Sequence, residues 1–143
     1  MMELEEITGI LSEGTLSDKI YMLCNLSNVF ESYNKNIDHF EELLAFLIHL
    51  AIKTTDEKVK EEILETICTA TIYQNIDKVN FDALEQDIQK VSVKFLPRYI
   101  DILSYTNNKK YVKSILELKN HPDRYVRIAV EEAMKEMGIS GNA

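Results

Sequence analysis

The sequence predicts an all-α fold, an array of antiparallel helical hairpins with about seven helices. Apolar residues recur at spacings of three and four along most of the chain, which is the period of a helix. Gly and Pro are scarce, at four and two of 143 residues, so few positions interrupt a helix. A similar segment also occurs twice, at 56–67 and 123–134, which is typical of helical repeats.

The first third of the chain predicts one short and one long helix. Residues 1–14 are acidic, and we expect them either to form a short helix or to fray. Thr15 or Ser17 can cap a helix over 16–32, and residues 33–36 are expected to form a loop. Apolar positions of the long helix are Leu16, Ile20, Leu23, Leu26, Val29 and Phe30.

A helical hairpin is predicted next, with a very short connection. Asp38 can cap a helix over 38–53, and Asp56 can cap one over 56–74. Their inward residues are predicted to be Phe40, Leu43, Leu44, Leu47, Ile48 and Ala51, then Val59, Ile63, Ile67, Ala70 and Ile72. Cys24 and Cys68 lie within apolar patterns and are interpreted as reduced core thiols, with a disulfide as the alternative.

The second half predicts shorter helices. Asn80 or Asp82 can begin one that ends near Val93, and Pro97 fits the first turn of another over 97–105. Further helices are expected at 109–119 and 123–137. Residues 92–95 alternate like a strand, but the run is too short to outweigh its helical surroundings. No linker interrupts residues 1–143, so a single domain is expected, with 139–143 fraying.

A shift of 67 residues aligns the two similar segments. Asp56 then matches Asp123, Val59 matches Val126, and Lys60 matches Arg127. Both segments read Asp-x-x-Val followed by Arg or Lys. In the last helix the pattern continues along one apolar face: Val126, Ala129, Val130, Ala133, Met134 and Met137.

This pattern resembles the second helix of HEAT and HEAT-like repeats, well at 123–134 and less well at 56–67. The resemblance covers about half the chain. It implies a short right-handed solenoid and a protein-binding scaffold. It also implies that Asp123 caps its helix, that Val126 packs inward, and that Arg127 bonds to a neighbouring loop or Asp. Lys60 lacks the planar guanidinium, so any equivalent bond should be weaker there.

Charge divides the chain unevenly, although its total is −8. Residues 1–70 hold 14 acidic and five basic residues, whereas residues 71–143 hold 10 and 11. An acidic surface repels nucleic acid and anionic membranes and attracts basic proteins. The alternative is that the charge serves solubility alone.

Glu57, Glu61 and Glu65 are the candidate partner-binding residues. Their spacing of four predicts an acidic ridge on one helix face, although like charges at this spacing repel one another. A solvated helix face is the ordinary alternative. A shorter basic cluster could instead contact phosphates: Lys109, Lys110 and Lys113. The net negative charge of the chain argues against nucleic-acid binding.

Catalytic and metal-site motifs are absent from the sequence. Its three histidines have no metal-ligand spacing, and His49 is interpreted as a partly buried packing residue. Adjacent glutamates on a helix point about 100° apart and do not converge. The sequence therefore predicts neither an enzyme nor a cofactor or metal site.

The leading functional hypothesis is a cytoplasmic, non-catalytic module that binds a basic protein partner. A sharper version is a small immunity or antitoxin-like protein that covers a basic toxin. The rival is a small-ligand-binding or enzymatic domain with a pocket between helices, and a self-associating structural subunit is a third possibility. The acidic start of the chain is unlike a secretory signal, and no apolar run is long enough to span a membrane.

Overall fold

The computed structural model describes residues 3–32 and 37–139 and contains eight α-helices and no strand within them. The all-α prediction is confirmed for these residues, with one helix more than expected. The predicted loop at 33–36 and most of the tail at 139–143 lie outside the described residues. The chain divides into two compact units, Met1–Asn80 and Phe81–Ala143; the single domain over 1–143 stays a prediction.

The first unit contains helices α1 (Leu4–Glu13), α2 (Leu16–Glu31), α3 (Phe40–Lys53) and α4 (Glu57–Tyr73). The threonine at position 15 caps α2 and the aspartate at position 56 caps α4, each side chain accepting a backbone N–H. Residues 54–56 connect α3 and α4, which pack together as the predicted hairpin. Residues 4–13 are helical, and Ile7 and Leu11 anchor this helix by their burial.

In this unit α1 packs against α2 and α3, and α4 packs most extensively against α2. Thr66 donates to the Leu23 carbonyl at 3.2 Å, and Gln74 donates to the Phe30 carbonyl at 2.7 Å. The second bond lies further along the chain than the first in both segments, from 23 to 30 and from 66 to 74. Helices α2 and α4 therefore run in the same direction. The unit is thus two helical hairpins laid side by side, with fully buried Leu23, Phe30, Leu44, Leu47, Ile63 and Ile67 in its core.

The second unit contains α5 (Asp82–Asp87), α6 (Leu96–Tyr105), α7 (Val112–Leu116) and α8 (Arg124–Glu136). Two 3₁₀ turns, Val93–Phe95 and Lys109–Tyr111, lead into α6 and α7. Helix α6 packs chiefly on α8, which also contacts α7. Gly138 follows α8 with φ of 69°, a backbone conformation that glycine adopts readily.

Several local predictions are wrong. Asp38 does not cap α3; His39 occupies the cap position with φ of 56°, and its side chain accepts no capping bond. Ile72 was predicted to face inward but is 51% exposed, and Leu16, an apolar position of the long helix, is 54% exposed. Each lies at or near a helix end, where the neighbouring helix no longer covers the apolar face.

Three further corrections concern side-chain exposure and helix length. Cys24 is exposed and only Cys68 is buried, and neither forms a disulfide. His49 is exposed instead of partly buried. The helix predicted to run to Val93 ends at Asp87, and the one predicted over 109–119 is α-helical only at Val112–Leu116.

Each helix within residues 3–32 and 37–139 is too short or too polar to cross a lipid bilayer.

Candidate functional site

The first copy of the repeated pattern begins α4. Asp56 accepts the Val59 N–H at 3.0 Å, which satisfies one of the free donors at the helix start. Val59 is buried. Lys60 is also buried, and its ammonium donates to the Ala51 carbonyl at 2.6 Å, in the last turn of α3. A cation at a helix C-terminus is favourable, so Lys60 fastens α4 to α3.

The second copy has a similar local structure at the start of α8. Asp123 accepts the backbone N–H groups of Tyr125 at 2.8 Å and Val126 at 3.1 Å. Val126 is fully buried. Arg127 donates to the carbonyls of His121 and Pro122, both at 2.8 Å. In each copy the Asp caps the helix and the Val packs inward. The cationic side chain donates to a backbone carbonyl that precedes the helix.

Glu57, Glu61 and Glu65 are all exposed along one face of α4, and together they form the acidic ridge. Helix α4 packs on α2 and α3, which hold the ridge in place. Beside it, Lys58 and Glu62 form an ion pair of 2.9 Å. The hydrogen bond to Glu62, with its negative charge second, raises the pKa of Lys58. This pair adds no net charge, so the ridge keeps its acidic character.

A second acidic feature lies where α1 and α3 begin. An open groove of about 580 Å³ is lined by Glu3, Glu5, Asp38 and Glu42 together with His39. The His39 Nδ1 lies 3.2 Å from a Glu42 carboxylate oxygen. Carboxylates in the first turn also stabilise helix N-termini, which gives this cluster a structural reason to be acidic.

In the second unit, hydroxyl groups hold all three carboxylates of α5. Tyr99 donates to Asp87 at 2.7 Å, Tyr111 donates to Asp82 at 2.8 Å, and Ser114 donates to Glu85 at 2.7 Å. These bonds fasten a six-residue helix to α6, to α7 and to the 3₁₀ turn that leads into α7. Partners separated by 12 to 29 positions share no local motif, so sequence reasoning missed them.

The pKa values of both tyrosines in this cluster lie above the ordinary tyrosine value. Burial, with the hydrogen bond to Asp87 second, raises the pKa of Tyr99. The same two causes, with Asp82 as the partner, raise the pKa of Tyr111. Both side chains are almost completely buried, so neither hydroxyl is accessible to a substrate and the bonds serve structure.

The basic cluster is largely engaged in structure. Lys110 forms an ion pair of 2.9 Å with Asp82, and Lys109 donates to the Met137 carbonyl that follows α8. A phosphate ligand would have to compete with these partners, which weakens the case for a nucleic-acid site.

Nothing in residues 3–32 and 37–139 places three or more His, Cys, Asp or Glu side chains where they could hold a metal ion. Comparison with family models, with curated proteins and with solved structures finds no match to this chain. The function of this chain must therefore be argued from its own residues.

Proposed function

We propose that this chain is a non-catalytic protein-interaction module that binds a basic protein partner, in the manner of a small immunity or antitoxin-like inhibitor. The acidic ridge carries this proposal: Glu57, Glu61 and Glu65 are exposed on one face of a helix that is packed on two others. A HEAT-like relationship, supported by the repeated local structure at Asp56 and Asp123, belongs to the same proposal, as does residence in the cytoplasm.

The charge of the first unit supports the proposal. Residues 1–80 hold 15 acidic and six basic residues, a net −9, whereas residues 81–143 hold nine and 10, a net +1. An acidic surface speeds capture of a basic partner by electrostatic steering, and this acceleration falls as salt rises.

Reversing the ridge tests the proposal. We expect E57K/E61K/E65K to lose most of the binding to a basic partner captured from native lysate of the source organism. Like charges would replace opposite charges at the interface. The matched control is E131K/E132K/E136K, which reverses three exposed carboxylates of α8 and changes the net charge equally. Circular dichroism establishes that both variants remain folded.

The two variants separate a local site from a general charge effect. Loss of capture with the ridge variant alone supports the proposal. Equal loss with both would show that only net charge matters, and full capture by a folded ridge variant would refute the ridge as the contact surface.

The rival, a small-ligand or enzymatic domain, has one observation in its favour: the groove around His39 has the volume of a ligand pocket. Its carboxylates would select a cationic ligand. The rival predicts that spermidine raises the Tm of the wild-type protein and that Glu42→Gln removes the rise. No rise at millimolar spermidine would count against it.

A further inference from the structure

An open groove lies at the C-terminal end of α4, where the helix meets the start of α3. It encloses about 910 Å³. Ile72 and Tyr73 contribute exposed apolar surface, at 51% and 36% exposure, and Phe40 lies beside them. Exposed apolar side chains gathered in one concave surface are typical of binding sites, whereas single exposed ones are ordinary.

The rim of this terminal groove is acidic. Asp38, Glu41 and Asp77 are exposed at its edge, and Lys78 is the only lysine among its described lining residues. Exposed apolar side chains close to three carboxylates fit an apolar partner residue flanked by cations. It disfavours an acidic segment, because like charges would meet at the rim.

The terminal groove and the acidic ridge share one side of α4. Successive helical residues turn by 100°, so Ile72 lies on the same face of α4 as Glu61 and Glu65. Ile72 is seven positions beyond Glu65, about two turns along that face. Glu57 and Ile72 are about 22 Å apart along the helix axis, and buried Cys68 lies between Glu65 and Ile72 on that side. One partner element of roughly 15 residues could therefore reach both features.

We propose that the terminal groove receives an apolar anchor residue carried at one end of a cationic helical segment of the partner. The lysines or arginines of that segment lie along Glu57, Glu61 and Glu65. This inference rests on the proposed function and adds to it the chemistry of the partner: a basic segment with one large apolar side chain, not a purely polycationic surface.

Synthetic peptides test the inference with the full-length chain. The probes are helical Lys/Ala peptides of about 16 residues, with lysines spaced by four and one tryptophan at either the first or the last position. A control peptide carries serine at both ends. Because the chain contains no tryptophan, the fluorescence of the peptide indole reports its own burial. Affinities are measured at low and at moderate salt.

We expect one of the tryptophan peptides to bind about tenfold more tightly than the serine peptide, with a blue shift of its emission. Ile72→Ser should remove this advantage. Leu16→Ser is the matched control, since Leu16 is equally exposed but lies at the opposite end of the parallel helix pair. It should leave the advantage unchanged.

The outcomes distinguish this inference from the proposed function. Equal affinity for tryptophan and serine peptides, with binding abolished by E57K/E61K/E65K, would overturn the groove and leave the ridge intact. An advantage that survives Ile72→Ser would place the anchor elsewhere and also overturn it. Absence of binding by every peptide at low salt would contradict the groove and the ridge together.

Discussion

A few residues at helix starts determine how the chain enters two of its helices. Asp56 and Asp123 each accept backbone N–H groups of the first turn. Lys60 and Arg127, four residues later, each donate to backbone carbonyls that precede the helix. The caps agree because the same short-range bonds form from the same residue type, whereas Lys60 reaches the preceding helix α3 and Arg127 reaches the turn before its own helix.

Removing the cap at Asp123 should destabilise the second unit. We expect Asp123→Ala to lower its free energy of unfolding by about 1 kcal/mol, whereas Asp123→Asn keeps a capping oxygen and should lose only a few tenths. Urea denaturation followed by circular dichroism measures both. Equal losses for the two variants would show that the carboxylate does not act as a cap.

Helix α5 shows how an element can depend on distant partners. Six residues make too short a helix to be stable alone in water. Its Leu84 is buried, and Tyr99, Tyr111 and Ser114 donate to its three carboxylates. The helix therefore forms because α6 and α7 hold it in place.

The raised pKa of Tyr99 predicts sensitivity to alkali. Below about pH 10, the ordinary tyrosine pKa, the hydroxyl is protonated in the folded and unfolded chain alike. Above it the unfolded chain loses this proton first. The free energy of unfolding therefore falls as pH rises, by up to about 1.4 kcal/mol per pH unit from this group.

Tyr99→Phe should reduce that slope, measured by urea denaturation between pH 10 and 11. Tyr125→Phe is the matched control, because Tyr125 is 70% exposed and should leave the slope unchanged. All other ionisable groups are common to the variants, so the comparison isolates the tyrosine. An unaltered slope in Tyr99→Phe would contradict the assignment.

At the scale of the whole molecule, the charge asymmetry follows the division into two units. The first unit carries the acidic excess, and the second is nearly balanced. Each unit also has one helix that packs most extensively: α4 packs on α2 and α3, and α6 packs on α8 and α5. Stability is not uniform in such an arrangement, because local opening is easiest where few packed contacts must break.

We expect the slowest amide hydrogen exchange of each unit in its central helix, α4 in the first and α6 in the second, with faster exchange in α1 and α7. Residue-resolved exchange measured by NMR tests this. Uniform protection across all helices of a unit would show that the unit opens only as a whole.

Short-range sequence patterns determined much of the local structure of this protein. The helical class, the caps at residues 15, 56 and 123, the α3–α4 hairpin and the ridge follow from periodicity and local hydrogen bonding. Tertiary structure decided the rest. Leu16 and Ile72 continue the apolar spacing, yet both are exposed, since burial depends on where neighbouring helices end. Long-range hydroxyl–carboxylate bonds fix α5, and the groove beside Ile72 exists only because α3 begins where α4 ends.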